Sequence, residues 1–232
     1  MRTCALISIW LSLALLAGCQ SLGDAGRSTV ASQPASSDEL PRARAAEACL
    51  VTARQLDQNG YAGEAINEYE RARQLDPSLT TISRRLAVLY DRQGNDPRAI
   101  EEYQAALRES PDDPEVLNDF GFYYVARNNG PEAQRWLQQA VIKDPKSVRA
   151  WVNLGTALAE QRKYPESYDA FARYLPPAQA LSNVGILEAQ QGDYYLAVQS
   201  LTRALVADPG LQPTRAALQW ARKKLVSTNA DR

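Results

Sequence analysis

The chain has 232 residues, 45% hydrophobic and 23% charged, which suits one or two globular domains with a buried core. Its 26 Lys and Arg balance 27 Asp and Glu, leaving a net charge of −1 and no electrostatic reason to expect a nucleic-acid partner. There is no histidine, which removes His-based triads, Cys–His dyads and imidazole metal sites. The three cysteines, Cys4, Cys19 and Cys49, lack zinc or redox spacing. No P-loop, nucleotide-binding glycine pattern or nucleophile elbow is present, so the expectation is a non-enzyme without metal, cofactor or small-molecule substrate.

Residues 1–18 read as a signal peptide. Arg2 supplies the basic start, and Cys4 to Ala17 carry no charge. At about 14 residues this run is too short to span a bilayer. It closes with Leu16-Ala17-Gly18-Cys19, which resembles a bacterial lipoprotein box. The resemblance implies cleavage before Cys19 and lipidation of that cysteine. An ordinary secretory signal, cut at a nearby small-residue site, is the alternative. Gln20 follows the cysteine, where an Asp would be the inner-membrane retention signal of some Gram-negative bacteria. The resemblance therefore implies an outer-membrane anchor facing the periplasm.

Residues 19–42 are rich in Ser, Ala, Gly and Pro and bury too little apolar surface to offset their ordering entropy. They are expected to form a tether, whose roughly 20 residues would reach about 25 Å.

From residue 43 to 211 a 34-residue period takes over. Ala65, Ala99, Ala133 and Ser167 fall in step, as do Pro77, Pro111 and Pro145. Tyr69, Tyr103, Leu137 and Phe171 keep the same interval, with Ala72, Ala106 and Ala140 three residues on. Pro97, Pro131 and Pro165 recur where a proline suits the first turn of a helix. A column of small residues, Ala53, Ala87, Gly121, Gly155 and Gly185, precedes each of these helices. This pattern resembles the tetratricopeptide repeat, two antiparallel helices per 34 residues, over about 165 of the 232 residues.

The resemblance implies an all-α, right-handed superhelical solenoid of about five units, drawn at 46–79, 80–113, 114–147, 148–177 and 178–211. The fourth is short, and Pro176-Pro177 should stop its second helix near Leu175. Residues 212–232 form a capping helix and tail, with Ala217, Leu218, Trp220, Ala221 and Leu225 as its apolar set. Cys49 falls at a packing position, so a buried, inert thiol is expected. The tyrosines at 69, 90, 103 and 124 are expected in the core.

In the family, partners bind the concave surface lined by the first helices. Its positions here give a mixed groove: apolar Val88, Phe122, Val152 and Ile186, flanked by Arg84, Asn118, Arg149 and Asn153. The family's carboxylate clamp of Lys, Asn and Arg is not reproduced, since the first window offers Leu50, Arg54, Arg85, Glu115 and Asp119. An apolar stripe with polar edges suits an extended or helical peptide. Phe122 is the expected anchor, the alternative being that it packs against the next repeat. The resemblance implies a protein-binding scaffold, lipid-anchored in the cell envelope. Pilus or secretin assembly, an adaptor for cell-wall enzymes, and a self-associating structural lipoprotein all remain open.

Overall fold

In the computed structural model, residues 42–230 are described; the signal peptide, Cys19 and nearly all of the tether lie outside them. The described residues form eleven helices and no strand. Five antiparallel pairs follow one another: α1 (Arg42–Gln58) with α2 (Ala62–Leu75), α3 (Ile82–Arg92) with α4 (Asp96–Glu109), and α5 (Pro114–Val125) with α6 (Gly130–Lys143). Then come α7 (Val148–Glu160) with α8 (Tyr164–Ala172), and α9 (Pro177–Gln190) with α10 (Tyr194–Ala207). Helix α11 (Gln212–Ala230) closes the stack.

Local chemistry sets the ends of these helices. Asn95, Asp113, Asn129 and Ser147 accept hydrogen bonds from the first-turn amides of α4, α5, α6 and α7. Prolines occupy the first turn of α4, α5, α6, α8 and α9, where a missing N–H costs nothing. Each turn between paired helices contains one residue of positive φ: Gly60, Gly94, Asn128, Arg162 and Gly192. Arg162 holds φ at 60°, a conformation that costs a residue with a Cβ. Its guanidinium compensates by pairing with Asp193 and donating to the Gln191 carbonyl at 2.9 Å.

The small-residue column is where each pair closes most tightly. A methyl group on Gly121 would fall 2.5 Å from Leu137 Cγ, and one on Gly185 would fall 2.6 Å from Leu201 Cγ. A methyl group on Gly155 would fall 2.9 Å from the Phe171 ring. Opposite, Ala65, Ala99, Ala133 and Ala197 are fully buried. Ser167 fills the same column and satisfies its hydroxyl by donating to the Gly155 carbonyl at 2.8 Å. Tyr69, Tyr90 and Tyr103 are buried, Tyr124 is half-buried, and Cys49 is a buried free thiol that burial pushes up in pKa.

Helix α8 has 9 residues where α2, α4, α6 and α10 each have 14. It ends at Ala172, three residues before Leu175, because a turn leads directly into Pro176-Pro177. In α11, Leu218 and Ala221 are buried as an apolar face requires, whereas Trp220 is 44% exposed. The expectation that Trp220 joins the packed face is corrected. Its ring meets Tyr194 edge-on at 5.7 Å and lies under the Lys224 ammonium at 5.8 Å.

One buried group carries a stability consequence. Glu160, at the end of α7, has Oε2 buried without a partner, and burial pushes its carboxyl from 4.5 up to about 7. The folded state thus holds this proton over a pH range in which the unfolded chain has lost it. Stability therefore falls as pH rises from 4.5 to 7 and is level above. Burial also raises Glu188, which adds to the same slope. Glu160→Gln is expected to gain about 1–2 kcal/mol at pH 8 and nothing at pH 4. Urea melts at the two pH values check this, and equal gains at both would contradict it.

Candidate functional site

Successive first helices touch: α3 with α5, α5 with α7, α7 with α9, and α9 with α11. No two second helices approach each other in this way among the described residues. A layer whose members touch lies on the inside of a curve, and the splayed layer lies outside. The inner face is thus built by α3, α5, α7 and α9, the helices that carry Arg84, Val88, Asn118, Phe122, Arg149, Val152, Asn153 and Ile186.

The polar members of this set are engaged with each other. Arg84 reaches from α3 to Asp119 at 2.8 Å and Glu115 at 2.5 Å on α5. Arg149 on α7 approaches the same Asp119 at 3.4 Å. Asn118 donates to Asp119 at 3.2 Å and accepts from Asn153 at 3.0 Å. Asn118 is buried, so it braces α5 against α7 and cannot present its amide to a partner. The basic residues Arg84 and Arg149 are likewise neutralised around Asp119. This network sets the spacing of three inner helices more than it offers charge.

The apolar members remain available to different degrees. Val88, Val152 and Ile186 are half-buried, while Phe122 is 50% exposed on α5, one helical turn from Asn118. Phe122 therefore stands out from the face and is not packed away between repeats. Two cavities flank it in chain order. One of about 320 Å³ has Leu50, Arg54, Arg84 and Arg85 with Glu109 and Asp113 in its wall. The other, about 380 Å³, brings Val152 and Ile186 together with Leu175, Leu211 and Pro213. The second opens where the shortened fourth pair and its prolines alter the stacking. Leu175 and Leu211 belong to loops, and repeat columns alone do not point to them.

The Tetratricopeptide repeat family profile matches residues 50–114 and 119–182, together more than half of the chain. The chain belongs to the tetratricopeptide-repeat family. Among curated proteins none matches it. YrrB, described as a TPR protein with an unusual peptide-binding site, superposes with a TM-score of 0.58 at 22% identity, over 74% of this chain and 90% of YrrB. PilF of Pseudomonas aeruginosa gives 0.58 at 20% identity, over 82% of this chain and 99% of its own. PilW, a widely conserved type IV pilus biogenesis factor, gives 0.58 at 19% identity, over 80% and 92%. At these identities the likeness is one of fold. The described part is an all-α tetratricopeptide solenoid, a fold that serves protein–protein interaction. Among its described residues no helix is long and apolar enough to cross a membrane, and no group of acidic and cysteine side chains is placed to hold a metal ion.

Proposed function

We propose that this protein is a lipid-anchored scaffold of the bacterial envelope that holds an extended polypeptide along its inner face. The observation that carries the reading is the 50% exposure of Phe122 on α5, a helix of the touching layer, one turn from the buried Asn118. Aromatic side chains at the centre of an interface dominate binding energy when a partner covers them. The peptide-binding site ascribed to YrrB supports peptide capture, and the pilus role ascribed to PilW supports pilus or secretin assembly as its setting. The mechanism is tethering and positioning, with no bond made or broken.

Anchoring rests on Leu16-Ala17-Gly18-Cys19. A single acyl chain binds membranes only marginally, whereas the multiple acylation of a lipoprotein cysteine is firm. Cys19→Ala is expected to move the protein from the membrane to the soluble fraction. Unchanged fractionation would overturn the anchor.

A further inference from the structure

A third cavity, of about 460 Å³, lies away from the inner face, between α8, α9 and α10. Its walls are Tyr164 and Tyr168 of α8, Leu181 and Val184 of α9, and Leu196 of α10. The third unit shows what can fill such a space. Position 184 corresponds to Phe120 two units earlier, and position 200 to Trp136. In that earlier unit the two rings lie 5.0 Å apart and fill the space. Here Val184 and Ser200 leave it open.

At the back of the cavity one residue departs from its repeat column. The positions matching 188 hold Leu56, Tyr90, Tyr124 and Leu158, yet Glu188 stands there. Its side chain is only 4% exposed, it lines the cavity, and Oε2 is buried without a hydrogen-bond partner. A carboxyl in a core column is destabilising unless something pairs with it. The adjoining turn carries Asp193, a second negative charge, which accepts from Tyr164 and Arg162. Arg203, the basic residue of the lining, is exposed, where solvent and salt screen its charge.

We propose that this cavity binds the aliphatic ammonium or guanidinium end of an organic cation, with Glu188 as the ion-pairing group and Tyr164, Tyr168, Leu181 and Leu196 enclosing the stem. The cavity volume falls within the range of small-ligand sites, about 300–1,000 Å³. Aromatic walls around a carboxyl suit a cation with an apolar stem. Burial raises the Glu188 carboxyl above the ordinary carboxylate range although the neighbouring Ser200 hydroxyl opposes the shift, so an arriving cation also relieves the unpartnered Oε2.

The test is calorimetric titration of the full chain with cadaverine and agmatine, with pentan-1-ol as the neutral counterpart. Saturable binding of the amines is expected, with Glu188→Gln weakening it about tenfold or more through loss of a charge-assisted bond. Glu188→Leu and Ser200→Trp, which restore residue types found at 158 and 136, should abolish binding while the melting temperature holds or rises. Phe122→Glu should leave amine binding unchanged, so this site can fail or stand independently of the inner-face reading. An acetyl-Gly-Lys-Gly-amide peptide that binds as tightly as cadaverine assigns the cation to a polypeptide side chain. A much weaker one assigns it to a free amine. Absence of amine binding, equal binding of pentan-1-ol, or retention in Glu188→Gln overturns the proposal.

Discussion

Tyr103→Ala is expected to cost about 3–5 kcal/mol of folding stability. The ring is 1% exposed, stacks on Phe120 at 4.8 Å between centroids and meets Tyr123 at 5.7 Å. Phe120 in turn contacts Tyr124 and Trp136 at 5.0 Å each. These rings are flat and rigid, so they cannot collapse into the space that truncation leaves. The residual cavity then adds to the lost transfer energy. The site also joins units, since Tyr103 lies on α4 and Phe120 on α5. Solenoid stability is close to a sum of unit and neighbour terms, so weakening this junction should broaden or split the denaturation curve. Guanidinium melts followed by circular dichroism read both effects. Val206→Ala, at a site 79% exposed, serves as the neutral control. A loss below 1 kcal/mol for Tyr103→Ala would contradict the packing described.

The second large effect concerns binding. Phe122→Glu is expected to weaken partner capture by about 2 kcal/mol or more, roughly thirtyfold, as for a central aromatic hot spot. It replaces an apolar anchor by a charge that an apolar partner surface would have to desolvate. Arg84 and Arg149 are already engaged by Asp119 and Glu115, so neither is free to offset the added carboxylate. Folding should change by less than about 1 kcal/mol, because half of the side chain is in water in the free protein. A comparable loss of stability and binding would instead place Phe122 in the core.

Much of this architecture is legible as intervals. Alanines at 65, 99 and 133 and aromatics at 69 and 103 are spaced by a rule that only stacked helix pairs require. The small residues at 121, 155 and 185 are legible for the same reason, since a Cβ there would strike the partner helix. The shortened fourth unit is visible in Pro176-Pro177, though not the end of α8 at Ala172, which depends on how the turn is hydrogen-bonded. The inner face is harder. Its apolar members follow from repeat position, but the burial of Asn118 and the sharing of Asp119 by Arg84 and Arg149 depend on the pitch between neighbouring helices. No single-chain periodicity encodes that pitch. Glu188 is a mixed case: its identity breaks a column of Leu and Tyr, yet the burial of its Oε2 without a partner depends on how α8, α9 and α10 pack.

The proposed function places a bound polypeptide on the inner helix layer at Phe122. Photocrosslinking in intact cells tests it most directly, with a photoreactive phenylalanine analogue placed at 122 and, separately, at Ile142. Ile142 is 71% exposed on α6, in the splayed layer, and controls for mere accessibility. A light-dependent adduct to one dominant polypeptide is expected from position 122 and none from position 142. No adduct from 122, or the same adducts from both positions, would contradict it.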